Sequence, residues 1–209
     1  FEPPGWHASW GRISARAYHA PIGALTANYG QFFVSVGPGA KVGQPAQVDV
    51  DPPVDYLRVR NRAKTAKKGA RPRLFVDRAV GAVSEGAPVE VVLVDGVTRL
   101  GDAFDRFPRS VIDPGLYAGS LFAYQLEANE IAVGGDVRRA PRVADAAEPL
   151  ILIHEHAGRT VAEAVMLCMK YSSNPVAESL LKNLGAWQGA SLDKEPARQG
   201  DWRGGVQAL

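Results

Sequence analysis

Cysteine pairs, long apolar runs and a dominant charge are all absent from this sequence, and each absence removes a class of protein. Cys168 is the lone cysteine, so no internal disulfide framework exists. Its neighbours Met166, Leu167 and Met169 are apolar, and a thiol in that company reads as a small buried hydrophobe rather than a nucleophile. No stretch approaches the ~18 consecutive apolar residues of a membrane-spanning helix. Lys and Arg number 24 against 22 Asp and Glu, a formal net charge of +2. Nucleic-acid binders cluster a far larger excess on one face, so no nucleic-acid partner is expected. A basic, apolar leader is missing too. Phe1-Glu2-Pro3-Pro4-Gly5-Trp6 reads as the interior of a loop, and a chain trimmed from a longer polypeptide is the expectation.

What is present is a globular composition, 46% hydrophobic and 22% charged, rich in Gly (22) and Pro (15). Such punctuation favours many turns and short strands over a helical bundle. Gln31 to Val36, Ala46 to Val50, Tyr56 to Arg60, Arg73 to Val76 and Val89 to Val94 read as strands. Their short spacing predicts an antiparallel sheet or sandwich in the first half. Among them runs the most basic segment, with Arg60, Arg62, Lys64, Lys67, Lys68, Arg71 and Arg73 and no acid. It reads as a solvated hairpin loop, or else as an electrostatic contact for an anionic polymer or surface.

The second half turns helical. Pro114 to Asn129 carries Leu116, Leu121, Phe122 and Leu126 near helical spacing. Asp136 to Pro141 reads as a short exposed strand and turn, and the wholly apolar Leu150 to Ile153 as a buried strand. Thr160 and Glu163 have capping-box spacing, with Val161, Ala164, Val165 and Cys168 following on one helical face. Pro175 to Leu184 reads as a further helix, Pro175 suiting its first position and Gly185 its end. Ser172-Ser173-Asn174 therefore occupies a tight junction between two helices.

A Ser-x-Asn triplet by itself is a weak pattern, and Asn174 before Pro175 is explained equally well as a helix cap. Its surroundings are more specific. Lys170, Ser172, Asn174, Ala177, Glu178, Leu180-Leu181-Lys182 and Leu184-Gly185 follow the form K-x-S-x-N-x-x-A-E-x-L-L-K-x-L-G. The stretch resembles the class C, low-molecular-mass penicillin-binding proteins, the serine D-alanyl-D-alanine carboxypeptidases and endopeptidases. Ala20-Pro21-Ile22-Gly23-Ala24-Leu25-Thr26 and Val36-Gly37-Pro38-Gly39-Ala40-Lys41-Val42-Gly43 resemble the start of that family's inserted β domain. Asn61 to Thr65 and Asp113 to Gly119 are weaker echoes in the same order.

The resemblance implies a hydrolase with three motifs, Ser-x-x-Lys, Ser-x-Asn and Lys-Thr-Gly, acting on peptidoglycan stem peptides through an acyl-serine and acylated by β-lactams. Ser172 would relay a proton to the leaving nitrogen. Asn174 would hold a substrate amide, and Lys170 would support it. No cofactor and no metal are called for. Location would be secreted, in the periplasm or on the outer face of the cell membrane. The other two motifs are missing in their expected places. Ser179-Leu180-Leu181-Lys182 and Ser191-Leu192-Asp193-Lys194 both follow the Ser-x-Asn, and Lys64-Thr65-Ala66 precedes it, so all three are read as coincidences. His154-Glu155-His156 lacks the third ligand a zinc site needs, His7 and His19 being far off in sequence.

The expected architecture is α+β: an antiparallel β-rich inserted domain over 1–109, then part of a transpeptidase-like α/β domain over 110–209. The chain alone is expected to be inactive, and to associate as a homo-oligomer if truncation leaves sheet edges bare. A second reading, of another class, is a non-catalytic cell-wall-binding or protein-interaction module.

Overall fold

A computed structural model describes residues 14–81, 89–139, 151–193 and 200–209. They fall into two compact units, the first ending at Val137 and the second spanning Arg138–Leu209. The first contains strands β1 (Gln31–Gly37), β2 (Gln47–Asp51), β3 (Leu57–Asn61), β4 (Lys64–Ala66), β5 (Arg73–Val80), β6 (Glu90–Arg99) and β7 (Asp105–Ser110), then helix α1 (Pro114–Ala128). The second contains helices α2 (Val161–Tyr171), α3 (Asn174–Asp193) and α4 (Trp202–Gln207).

Strand β1 alternates Phe32, Val34 and Val36 inward, all wholly buried, as a half-buried strand should. It pairs antiparallel with β2 on one side and β7 on the other. The sequence reading did not find β7, whose DRFPRS is polar and contains a proline. Pro108 lies opposite Phe33 on β1, a tolerable place because β7 ends that sheet.

The other sheet is mixed rather than antiparallel throughout. Strands β3 and β4 both run parallel to β6, while β5 pairs antiparallel with its opposite edge. Segment 60–73 is therefore no hairpin between neighbours. Its turn, 67–72, crosses over the place that β6 later fills, and parallel pairing of β3 and β6 follows from that insertion.

Helix α1 begins where Asp113 caps it, the carboxylate accepting from the amides of Gly115 (3.0 Å) and Leu116 (3.1 Å). Its Leu116 and Tyr117 enter the same core as Phe32, Val34, Val92 and Val94. The compact unit accordingly runs to Val137, because α1 buries its apolar side on the strands. Tyr117 fixes the register of that contact. Its hydroxyl donates to the carbonyl of Gln31 at 3.0 Å and accepts from Asn28 Nδ2 at 3.2 Å.

In the second unit, α2 starts at the expected capping box, with Thr160 Oγ1 accepting from Glu163 N–H at 3.3 Å and Glu163 Oε2 accepting from Thr160 N–H at 2.8 Å. Two expectations fail here. Ile151, Leu152 and Ile153 form no strand and lie exposed; Leu150 is outside the described residues. Nor does α3 stop at Gly185: it continues to Asp193 with Gly185 buried inside it. A Cβ there would stand 2.5 Å from the Gly205 amide nitrogen. Glycine at this point lets α4 approach closely instead of ending a helix. Residues 136–139 likewise form no strand, and Pro141 is outside the described residues.

Candidate functional site

The Ser-x-Asn triplet sits where α2 gives way to α3. Ser172 adopts the left-handed conformation (φ 50, ψ 48) and its amide donates to the carbonyl of Cys168. Ser173 N–H converges on the same oxygen at 3.3 Å, so two donors close the end of α2. Left-handed backbone is uncommon for a residue with a side chain. Here it turns the chain within two residues and leaves Ser172 exposed at the corner. The carbonyl of Ser173 then accepts from Ala177 N–H at 3.0 Å. Asn174 opens α3 half-buried, and Pro175, buried, falls in the first turn, where a missing N–H costs nothing.

Lys170 lies exposed in the last turn of α2, its Nζ 5.2 Å from the centre of the Tyr171 ring. Lys170, Ser172 and Asn174 are thus gathered by one helix junction. Neither the Ser172 hydroxyl nor the Lys170 ammonium engages another described side chain in a hydrogen bond or ion pair. Cys168 is half-buried rather than fully buried, its Sγ 3.8 Å from the Ser173 carbonyl.

One buried polar group beyond the junction was not foreseen in the sequence. Lys182 and Glu178, one turn apart on α3, form a fully enclosed ion pair with Nζ–Oε1 2.9 Å. Trp202 of α4 donates from its indole nitrogen to the same Glu178 oxygen at 3.1 Å. Asp201 caps α4 by accepting from Gly204 N–H at 2.6 Å. The signal was legible: Glu four residues before Lys is the favoured helical ion-pair order, and both residues belong to the motif quoted above. The same pair bears on Ser179. Lys182, bound to Glu178, is not held against Ser179, whose backbone carbonyl accepts from Asn183. The side chain of Ser191 is outside the described residues.

Lys64-Thr65-Ala66 has an architectural task. Thr65 is buried, its Oγ1 accepting from Gly39 N–H at 2.8 Å. His154 and His156 lie exposed in irregular backbone. Among the described residues, no three His, Cys, Asp or Glu side chains gather as a metal site would require.

A second buried polar group lies in the first unit. Glu90 shares the inward face of β6 with Val92 and Val94, so strand periodicity pointed to it. Its Oε2 accepts from Ile112 N–H at 2.7 Å, and Arg78 Nε stands 3.9 Å from Oε1. Arg78 also donates to Ser110 Oγ at 2.9 Å. Burial raises the Glu90 carboxyl to about 7 against the opposing pull of the Ile112 amide, Arg78 and Tyr56. Burial likewise raises the Tyr56 phenol, and Glu90 and Asp113 add to it. This cluster ties β5 and β6 to the turn before α1; it is walled from solvent and holds the fold. A cleft of about 330 Å³ opens nearby, lined by Asp55, Tyr56, Arg58, Ser120, Tyr124 and Glu127 among others. Lys170, Ser172 and Asn174 do not line it.

The sequence profile of the D-Ala-D-Ala carboxypeptidase 3 (S13) family matches residues 4–209. The chain is similar to a D-alanyl-D-alanine carboxypeptidase of Actinomadura sp. (strain R39), with 33% identity over 207 residues, covering 94% of this chain and 35% of that protein. Its fold is similar to the crystal structure of penicillin binding protein 4 from Haemophilus influenzae, with TM-score 0.65 and 17% identity over 93% of this chain and 39% of that one. A second structure of that protein, complexed with a β-lactam, gives TM-score 0.58 at 17% identity over 94% and 40%. The chain thus spans about a third of the relative's length and about two fifths of the solved one.

Proposed function

Because the chain belongs to the D-Ala-D-Ala carboxypeptidase 3 (S13) family, we propose that it forms the Ser-x-Asn segment of a serine-type enzyme that removes terminal D-alanine from, or cuts cross-links in, peptidoglycan stem peptides. The reading is supported chiefly by one observation. The family match runs from residue 4 to 209, and within it Ser172 stands exposed at a corner fixed by the α2–α3 turn.

In this reading another part of the polypeptide supplies the nucleophilic serine with its lysine and the Lys-Thr-Gly strand. Ser172 passes a proton to the departing D-alanine nitrogen as the acyl-serine forms. Asn174, whose carboxamide donates and accepts at once, holds the amide of the penultimate peptide unit. Lys170 supports the charge at this corner. β-Lactams acylate the same nucleophile. The protein works outside the cytoplasm, in the periplasm or on the outer face of the cell membrane, where its polymer lies. Without the nucleophile, this chain alone turns over no substrate.

The test uses the full-length protein and a diacylated peptide ending in D-Ala-D-Ala. Ser172→Ala is expected to lower kcat by roughly 10²–10⁴, the usual worth of a positioned proton-transfer group. Asn174→Ala should act mainly on kcat/KM. Retention of full D-alanine release by Ser172→Ala would remove Ser172 from the mechanism.

A further inference from the structure

Seven cations of segment 60–73 have no function in the reading above. Arg60, Arg62, Lys64, Lys67, Lys68, Arg71 and Arg73 are all exposed. None of them forms an ion pair with a described residue. The neighbouring Arg58 does, with Asp55 at 3.5 Å. Like charges crowded without acids repel one another, and an anionic partner would relieve that repulsion.

The backbone beneath is firmly held. Ala63 and Thr65 alternate inward with Arg62 and Lys64 outward. Thr65 N–H donates to Gln44 at 2.8 Å, Ala63 O accepts from Ala46 N–H at 2.9 Å, and Arg62 N–H donates to Val94 at 2.7 Å. Asn61 Nδ2 donates to the Ala46 carbonyl at 2.7 Å. Two residues of extended chain advance roughly 7 Å, so Arg60, Arg62 and Lys64 present charges at a regular interval. Lys67, Lys68 and Arg71 continue the strip around the turn. The backbone from Asn61 to Thr65 is thus held in place beneath the charges.

Its composition narrows the partner. Arginine forks and lysine ammoniums both suit phosphate oxygens. Between Arg60 and Arg73 there is no aromatic ring on which nucleobases would stack. Nor does the segment carry the large apolar side chains that a surface-lying element pushes into lipid. We propose that this strip is a docking surface for a linear phosphodiester polymer without bases, of the polyol-phosphate kind. The inference is independent of the carboxypeptidase reading and stands if that reading falls.

Fluorescence anisotropy of a labelled poly(glycerol phosphate) with the purified chain tests it. Saturable binding at 50 mM NaCl is expected, weakening roughly 100-fold by 200 mM if about five phosphates are neutralised on a flexible strand. Lys67→Gln/Lys68→Gln/Arg71→Gln, confined to the turn, should weaken binding more than tenfold while keeping the parent's circular dichroism and melting curve. Arg60→Gln/Arg62→Gln provides a second variant should the first unfold. Absence of binding at 50 mM NaCl, or undiminished affinity in folded variants, overturns the proposal. So does tighter binding to phosphatidylglycerol vesicles or to an oligothymidylate, which would make the strip a membrane or nucleic-acid surface.

Discussion

In the first unit Phe32, Val34 and Val36 sit on β1 wholly screened from water, whereas in the second Ile151, Leu152 and Ile153 are 87%, 77% and 95% exposed. Both segments promise a strand by composition. The difference lies in partners: β1 has β2 and β7 hydrogen-bonded on its two sides, while the described residues of the second unit include no strand at all. An apolar run becomes a buried strand only where neighbours satisfy its backbone donors and acceptors. Helix α2 repeats the point. Its capping box forms locally as predicted, yet none of its residues is buried. Order in the second unit comes instead from the α3–α4 clamp around Glu178, Lys182 and Trp202.

The largest expected effect sharpens that contrast directly. Phe32→Ala should destabilise the first unit by about 3–5 kcal/mol, the usual cost of emptying a core aromatic site. Ile153→Ala, removing a similar apolar side chain from open solvent, should stay within about 0.5 kcal/mol. Urea denaturation of both variants checks the pair, and a large cost for Ile153→Ala would break the comparison. Next comes Lys182→Ala. Stripping the counter-ion from the enclosed Glu178 should cost about 3–5 kcal/mol, read as faster hydrogen exchange across α3 and α4. Glu178→Leu/Lys182→Met should cost much less, because no charge is left stranded.

A smaller effect separates the units by pH. Glu90 titrates near 7 in the folded state against an ordinary value of 4.5, so the folded protein prefers its neutral form. Its contribution is intact below pH 4.5 and lost as pH rises through 7, by about 3 kcal/mol at most. Melting temperature of the first unit should therefore fall between pH 5 and 8. Glu90→Gln should flatten that profile; an unchanged slope would mean another group carries it.

Local signals in the sequence were read well where local physics decides. The α1 segment, the Thr160–Glu163 box and the β1 alternation needed only periodicity and capping residues. The mixed sheet did not follow from such signals, because parallel pairing of β3 with β6 depends on which strand enters the gap after β5. Gly185 misled for a related reason: a glycine serves equally to end a helix or to admit another backbone, and only α4 decides. The Ser172–Asn174 junction was legible because two helix-boundary signals flank it. Glu90 and the Glu178–Lys182 pair were readable by spacing, yet their burial depends on packing from distant segments.

The central claim is that this chain carries the Ser-x-Asn corner and not the nucleophile. Intact-mass spectrometry of the purified chain after incubation with a β-lactam tests it most directly, with the full-length protein alongside. The account predicts an unchanged mass for this chain and one acyl adduct on the full-length protein. A stable adduct on this chain, mapped to Ser179 or Ser191, would contradict it.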